Sequence, residues 1–366
     1  MTPGLVIITP ELSPGSGGLA DHTLALLRQW DITPERLTIL VANPETRHQS
    51  AANVQQLGTS SAEILNQLSQ TAGRVFVQYS AYGFNQFGYP RHLIRALIAW
   101  KKRGSHASLV VMFHEIWAFW SFTDKNFVIQ LLHRRSIKRL LGVCDAVFTT
   151  TASQAEHLRA LGCPIPIEVL PVGSNIRRFE ARLSPRDNSL AVLFGLQPSR
   201  IRALEQMRKS LAALVSSGQL KRIATAGHGT TALATQRESE LLHQLNLPAG
   251  FVQHGPLAEQ QVSELLQSAT FGIFGQNELS CQKSGSFMAY AAHQMNVIAE
   301  FADPTKPPPI CWLVAPSELI GGVAPQELER RAQCLYRWLE ENCSWEVIGN
   351  KIGRALGIGT GQANTR

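Results

Sequence analysis

The sequence predicts an α/β protein made of two successive doubly wound units, each a parallel sheet with helices on both faces. Three observations support this fold class. The chain has 366 residues, more than one ordinary hydrophobic core needs, so two domains are expected. Short apolar runs alternate with helix-length amphipathic segments, which is typical of parallel sheets. A polar stretch at residues 184–189 interrupts this alternation, which then begins again, so we place the domain boundary after residue 183.

The elements follow in order along the chain. In domain 1–183, strands are predicted at residues 5–8, 37–41, 74–78, 109–114, 146–150 and 167–170, and helices at 21–30, 61–70, 92–102, 126–141 and 153–161. In domain 184–344, strands are predicted at 190–194, 222–226, 251–254, 271–274, 297–299 and 310–314, and helices at 201–216, 231–245, 259–267, 286–293 and 327–340. A final amphipathic helix is predicted at 345–356.

Composition excludes several classes of protein. With 44% hydrophobic and 17% charged residues, the chain is neither disordered nor fibrous. The most apolar stretch, residues 109–122, is too short to span a bilayer, and no secretory signal is recognised, so we expect a cytoplasmic protein. Six cysteines without a CxxC pair indicate reduced thiols, and eleven histidines without HExxH spacing predict no metal site.

The net charge of +7 is concentrated in part in two basic runs at residues 100–103 and 133–139, both beside apolar residues. One interpretation is a surface that meets an anionic acceptor, or anionic lipid at the inner face of the plasma membrane. The other is the solvated face of two helices. Nucleic acid is not an expected partner, because no recognised nucleic-acid motif accompanies the charge.

A glycine-rich segment, GSGGLADH at 15–22, follows the first strand. Gly17 and Gly18 could let the backbone approach a ligand phosphate or sugar at a helix N-terminus, or could simply form a tight turn. The segment lacks the GxGxxG spacing of dinucleotide-binding proteins.

His114 and Glu115 end a predicted strand, at the edge of the sheet where ligands bind in open α/β folds. His114 could donate to a sugar hydroxyl or contact a carbonyl or phosphate oxygen, with Glu115 orienting it. The alternative is a histidine that caps a loop beside the aromatic residues 117, 120 and 122.

The segment QKSGS at 282–286 begins a predicted helix. Lys283, Ser284, Gly285 and Ser286 combine a cation, two hydroxyls and a helix N-terminus, which suits the diphosphate of a nucleotide sugar. An ordinary serine N-cap is the alternative. Glu278, just before, could accept ribose or sugar hydroxyls or be a solvated loop charge.

Two further loops follow strands of the second domain. Gly195 begins one and is followed by Arg200 and Arg202, either of which could neutralise phosphate. Gly227 and His228 lie in the other. Both loops are expected to open on the same crevice as Lys283, although surface arginines are common without a ligand.

These segments, taken in order and spacing, resemble the GT-B glycosyltransferases of family 4, in particular a divergent bacterial branch. The resemblance covers nearly the whole chain and is carried by the segments GGLAD at 17–21, FHE at 113–115, PVGSNI at 171–176, VLFG at 192–195, AGHG at 226–229, VQHG at 252–255 and KSGSFMAYAAH at 283–293.

The resemblance implies two Rossmann-like domains facing across a cleft, an N-terminal acceptor domain and a C-terminal donor domain. It also implies that the last segment, 345–366, returns to the first domain. The donor would be a nucleotide-diphosphate sugar, no metal would be obligatory, and the anomeric configuration would usually be retained.

The sequence departs from the family at the donor site. Typical members carry two glutamates eight positions apart, and Cys281 and Ala289 occupy those positions here. The branch with an acidic residue, then a basic residue before Gly-Ser, and a later histidine matches Glu278, Lys283 and His293 instead. Leu196 occupies the place of the donor-site arginine.

Two functions of different classes follow. The first is transfer of a sugar to a lipid-linked or polysaccharide acceptor. The second, motivated by the missing glutamates, is a catalytically weak relative that serves as a partner or scaffold for another glycosyltransferase. A phosphorylase ranks below both, because no lysine motif for pyridoxal phosphate is recognised.

Overall fold

The computed structural model describes residues 4–12, 18–43, 53–104, 107–116, 127–179 and 185–359. The chain divides into two compact units: Met1–Pro171 with Trp345–Arg366, and Val172–Ser344. The first unit thus ends at Pro171, whereas the sequence placed the boundary after residue 183. Residues 172–179 belong with the second unit because they bond to it. The Val172 N–H donates to the Gln282 carbonyl over 2.9 Å, and the Arg177 N–H donates to the Glu259 carboxylate over 2.8 Å.

The first unit contains a seven-stranded sheet in the order β3-β2-β1-β4-β5-β6-β7, parallel throughout its described residues. Its strands are β1 (Gly4–Thr9), β2 (Leu37–Val41), β3 (Asn53–Gln56), β4 (Ala72–Ser80), β5 (Ser108–Glu115), β6 (Ala146–Thr149) and β7 (Ile167–Val169). The inner strands are almost continuously apolar because helices cover both faces. Two hydrophobic clusters, one on each face, form the core.

The helices of this unit are α1 (Gly18–Leu27), α2 (Ser61–Thr71), α3 (Ala81–Phe84), α4 (Arg91–Arg103), α5 (Phe127–Leu141), α6 (Ala152–Ala160) and the C-terminal α14 (Trp345–Leu356). Helix α14 packs against α1, and the indole of Trp30, three residues after α1 ends, donates to the Gly349 carbonyl over 2.9 Å. Glycine is needed at 349 because a Cβ there would lie 2.7 Å from the Gln29 side chain.

The second unit contains a five-stranded parallel sheet in the order β10-β9-β8-β11-β12 among its described residues. Its strands are β8 (Asp187–Phe194), β9 (Arg222–Ala226), β10 (Phe251–Gln253), β11 (Ala269–Ile273) and β12 (Asn296–Ile298). Its helices are α7 (Gln197–Gln206), α8 (Arg208–Ser216), α9 (Ala232–His243), α10 (Glu259–Ser268), α11 (Gly285–Ala292), α12 (Pro316–Gly321) and α13 (Pro325–Cys343).

The predicted class, two doubly wound parallel α/β units, is confirmed by these two sheets. Three local predictions are wrong. The polar residues 187–189 do not interrupt the alternation but begin β8, and Arg186, just before that strand, donates to the Gln294 carbonyl over 2.7 Å. The helix predicted at 201–216 breaks at Met207, and the strand predicted at 310–314 is a 3₁₀ turn, Ile310–Trp312, followed by a single bridge at Val314.

None of the helices in the described ranges is both long and apolar enough to cross a membrane.

Candidate functional site

Three loops of the second unit meet at the carboxyl edge of its sheet. Gly195 follows β8 with φ +133°, and a Cβ there would lie 2.5 Å from the Ser286 hydroxyl oxygen at the start of α11. Gly227 follows β9 with φ +127°, and a Cβ there would lie 2.2 Å from the Gly195 carbonyl oxygen. Both positions therefore require glycine. We call Gly195, Gly227, Lys283, Ser284 and Ser286 the glycine cradle.

Hydrogen bonds between backbone groups hold the two glycine turns together. The Gly195 N–H donates to the Ala226 carbonyl over 3.0 Å, and the Gln197 N–H donates to the His228 carbonyl over 3.1 Å. The buried Gln197 amide oxygen also accepts from the Thr230 N–H over 2.8 Å. The His228 side chain itself is exposed. The loop after β9 is thus held through its backbone, which leaves that imidazole open to solvent.

Arg200 lies inside the unit, where it is only 3% exposed, and forms a bidentate ion pair with Glu238. Its Nε and Nη2 donate to the two carboxylate oxygens over 2.7 and 2.9 Å, and Nη1 donates to the Gly195 carbonyl. Burial raises the pKa of Glu238, but the Arg200 hydrogen bonds and charge outweigh it and leave that pKa below its usual value. Glu238 therefore already neutralises the Arg200 charge. Arg200 also stabilises the Gly195 turn, through its hydrogen bond to the Gly195 carbonyl.

The N-terminus of α11 completes the cradle. The Ser284 hydroxyl caps the helix by accepting from the Phe287 N–H over 3.3 Å. The Lys283 side chain is exposed, and within the described chain it has neither an ion pair nor a hydrogen bond. The first turn of a helix offers N–H groups that lack intrahelical acceptors and carry a partial positive charge. Gly285 approaches Asn175, since a Cβ at 285 would lie 3.3 Å from the Asn175 amide oxygen.

Two other residues of the predicted donor motif have protein partners. Glu278 forms an ion pair with Lys306 over 3.2 Å, on the surface of the unit. His293 is fully buried at the end of α11, where Nδ1 donates to the Ala289 carbonyl over 2.7 Å and Nε2 accepts from the Ser263 hydroxyl over 2.9 Å. His293 is thus a core histidine, and burial lowers its pKa to about 4.

A cavity of about 360 Å³ opens between α7 and the loops after β11 and β12 of the same unit. Its lining includes the described residues Arg202, Gln206, Met207, Phe274, Gly275, Gln276, Asn277, Ser280, Glu300 and Phe301. Arg202 and Glu300 are exposed there, and neither side chain has an ion pair or hydrogen bond within the described chain. The combination of unpaired charge, amides and aromatic rings suits a small polyhydroxylated or anionic ligand.

In the first unit, His114 lies at the end of β5 and joins a polar group not predicted from the sequence. Its Nε2 lies 2.6 Å from the Gln78 amide oxygen, and the Gln78 amide nitrogen lies 2.9 Å from Nδ1 of His22. The two imidazole rings meet edge to face, with centroids 4.7 Å apart. Burial lowers the pKa of His114 to about 3, and burial followed by the His114 ring lowers that of His22 well below normal.

Glu115 does not orient His114 in this structure. Its carboxylate accepts from the Ser80 hydroxyl over 2.9 Å, at the neighbouring strand end. The His114 carbonyl accepts instead from the Gln154 amide over 2.8 Å. Gly18 begins α1, and a Cβ there would meet no atom within 4 Å, so the described protein does not itself require glycine. Gly17 and the aromatic residues 117, 120 and 122 lie outside the described residues.

Within the described ranges, no group of three or more His, Cys, Asp or Glu side chains is arranged to hold a metal ion.

Comparison with solved structures shows the same fold over nearly the whole chain. HepE from Anabaena, solved in complex with UDP, matches with a TM-score of 0.65 at 11% identity, covering 97% of this chain and 99% of that one. A glycosyltransferase from Rickettsia africae gives 0.64 at 11% identity, covering 97% and 99%. Sucrose-phosphate synthase from Thermosynechococcus elongatus gives 0.62 at 12% identity, covering 96% and 98%.

No family model and no curated protein sequence matches the chain. At 10–12% identity the structural likeness shows the fold alone, which is the GT-B fold that these glycosyltransferases share. The chain has this fold.

Proposed function

We propose that the protein is a retaining, hexosyltransferase-like glycosyltransferase that moves a sugar from a nucleotide-diphosphate sugar to a lipid-linked or polysaccharide acceptor. The observation that carries the proposal is the glycine cradle. Two glycines, Gly195 and Gly227, and the unpaired Lys283 lie close to the N-terminus of α11. This is the edge of the sheet at which α/β folds bind ligands.

In this proposal the diphosphate lies against Ser284, Gly285 and Ser286, with Lys283 as its counter-ion. Gly195 and Gly227 have no side chain that would obstruct the phosphates, and the first turn of α11 supplies the N–H groups. Arg202, which lines the cavity beside α7, is the second cation, in place of the buried Arg200. Stabilising the charge that develops on the departing diphosphate is the main catalytic contribution expected of these groups.

From the first unit, His114 contacts the transferred sugar, and Gly17 and Gly18 contact phosphate or sugar. Glu278, His228 and the cavity side chains contact the ribose or sugar hydroxyls. UDP is the first nucleotide to test, because HepE was solved with UDP and with UDP and glucose. No metal is obligatory in the proposal, since Lys283 supplies the positive charge.

A panel of nucleotide sugars tests the proposal, with hydrolysis or transfer measured for the wild type, His114→Ala and Lys283→Ala. We expect slow turnover of at least one donor, lowered at least tenfold by each substitution. Turnover that both variants retain at the wild-type rate would overturn the assigned roles.

A catalytically weak scaffold is the second candidate, and one observation favours it. Cys281 and Ala289 stand at the two glutamate positions of the typical donor site, so neither position has a carboxylate. Cys281 is 1% exposed and Ala289 is fully buried. Burial raises the pKa of the Cys281 thiol, so it does not supply a negative charge either. Binding of a nucleoside diphosphate without turnover of any nucleotide sugar would favour this candidate.

We also propose peripheral contact with an anionic membrane through α5. Val128, Leu131 and Leu132 are 61%, 47% and 50% exposed and lie beside Arg135 and Lys138. Neither α5 nor its neighbour α4 contains an acidic residue. Exposed apolar side chains flanked by cations suit the interface of an anionic bilayer, and in this proposal the bilayer is the inner face of the plasma membrane.

Co-sedimentation with phosphatidylglycerol vesicles tests the membrane contact. We expect Leu131→Glu to abolish most binding, since it removes apolar area and adds a negative charge. Leu233→Glu, on the second unit, is the matched control, because Leu233 is 77% exposed and its one basic neighbour at i+4, Arg237, is already paired with Glu205. Equal binding of both variants would remove the membrane contact from the proposal.

A further inference from the structure

We infer that Gln78 is a positioning residue that holds His114 as the tautomer protonated at Nε2, so that Nδ1 accepts a hydrogen bond from a substrate hydroxyl. The inference rests on the proposed function only for the identity of that hydroxyl. The state of the imidazole is a property of the protein alone.

The contacts of Gln78 carry the inference. The Gln78 side chain is fully buried on β4, one strand away from His114, and its amide lies between two imidazoles. Its oxygen can only accept and its nitrogen can only donate. The 2.6 Å contact to His114 therefore requires a proton on Nε2 of His114, and the 2.9 Å contact requires a lone pair on Nδ1 of His22.

The lengths of the two contacts support this orientation of the amide. With the amide reversed, the 2.6 Å contact would join two nitrogens, which is shorter than even an N–H···O bond usually is. Placing oxygen at the shorter contact and nitrogen at the longer one fits both distances. A reversed amide would also reverse both tautomers, so the two orientations predict opposite states of His114.

The surroundings hold the group in place. His22 is 2% exposed and lies edge to face with the His114 ring and with Trp345, at centroid distances of 4.7 and 5.0 Å. Burial lowers the pKa of both histidines, so each is neutral near pH 7 and has one protonated nitrogen. Nε2 of His22 is buried and has no hydrogen-bond partner in the described chain, so Gln78 alone decides its tautomer through Nδ1.

This state changes the role expected of His114. With Nε2 occupied by Gln78 and no proton on Nδ1, the imidazole cannot donate to a phosphate or carbonyl oxygen. It can accept from a hydroxyl. His114 therefore suits a sugar hydroxyl that donates, and the lone pair on Nδ1 disfavours a phosphate oxygen at the same place.

Nitrogen-15 NMR of the full chain labelled at histidine reads the tautomer directly, without any ligand. His114→Ala and His22→Ala identify the two sets of signals. We expect wild-type His114 to show a protonated Nε2 and an unprotonated Nδ1 at pH 7. A protonated Nδ1 of wild-type His114 would overturn the inference.

Two substitutions separate positioning from packing. In Gln78→Glu both carboxylate oxygens accept hydrogen bonds. His114 should therefore keep its tautomer, whereas His22 should change to the tautomer protonated at Nδ1. In Gln78→Leu neither histidine is held, so His114 should become a mixture of tautomers. Gln55→Glu, on the edge strand β3, is the control and should change neither signal. If His114 keeps one tautomer in Gln78→Leu, Gln78 does not position it.

Turnover then links the tautomer to the proposed reaction. Gln78→Leu should lower kcat about tenfold, the effect of one lost hydrogen bond. Gln78→Glu should retain more activity, since it keeps the His114 tautomer. If the protein turns over no nucleotide sugar, the proposed function fails, whereas the NMR result for His114 stands.

Discussion

The polar sites of the two units differ in charge: the site in the second unit is cationic, and the site in the first unit is neutral. In the second unit an exposed lysine and a helix N-terminus create positive potential, and a buried ion pair, Arg200 with Glu238, holds the turns behind them. In the first unit His22, Gln78 and His114 are neutral, mutually bonded and partly or fully buried. The first arrangement suits an anion, and the second suits uncharged hydroxyl groups.

This difference indicates that the two sites bind different parts of a ligand. A diphosphate needs unpaired cations and N–H groups, which a site provides at low cost only where solvent screens them. A sugar needs hydrogen bonds with fixed direction, which a buried neutral network provides.

The largest effect is expected from Glu238→Gln, which leaves the buried Arg200 charge without its partner. Removing one member of a buried pair costs about 3–5 kcal/mol of unfolding free energy. The matched control is Glu205→Gln, whose partner Arg237 is 46% exposed and 2.8 Å away. Denaturant unfolding should show a change of less than about 1 kcal/mol for the control. Similar values for both variants would mean that the Arg200 pair does not support the cradle.

Gly227→Ala should have the next largest effect, a loss of about 2–3 kcal/mol, because the new Cβ would overlap the Gly195 carbonyl. Gly250→Ala is the control: its φ of +72° also disfavours alanine, but no atom lies within 4 Å. We expect about 1 kcal/mol there, from backbone strain alone. The difference in melting temperature between the variants measures how tightly the two turns touch.

Acid should destabilise the protein partly through His293, whose pKa is lowered by burial to about 4 from an ordinary 6.5. Because the unfolded chain binds the proton first, the stability contributed by neutral His293 is complete above pH 6.5. It is lost as the pH falls from 6.5 towards 4. By pH 5 the loss is about 2 kcal/mol. Unfolding free energy should therefore depend less on pH in His293→Gln; an unchanged slope would argue against a neutral buried imidazole.

Much of the fold could be predicted from the sequence, because buried parallel strands are nearly continuous runs of apolar residues. β2, β9 and α14 have the predicted bounds. β3 was missed because its sequence, NVQQ, is polar, as an edge strand with one neighbour allows. The strand predicted at 310–314 has the right apolar residues, but only Val314 reaches the sheet.

The candidate site was harder to predict, because residue type does not reveal partners. Gly195, Gly227 and Ser286 were named from separate loops, and the structure brings them into contact. Arg200 was assigned to phosphate, yet an arginine paired with Glu238 thirty-eight positions away looks the same in sequence. Gln78 was part of a predicted strand, and only its polarity near the strand end could have drawn attention to it.

The most direct test of the central claim is calorimetric titration of UDP and other nucleoside diphosphates into the wild type, Lys283→Ala and Lys221→Ala. Lys221 is an exposed lysine next to the first residue of β9, at the opposite edge of the same sheet. We predict that the wild type and Lys221→Ala bind at least one diphosphate alike, and that Lys283→Ala binds it about 10- to 100-fold more weakly. Absence of binding to the wild type at millimolar concentration, or equal affinity in all three proteins, would contradict the account.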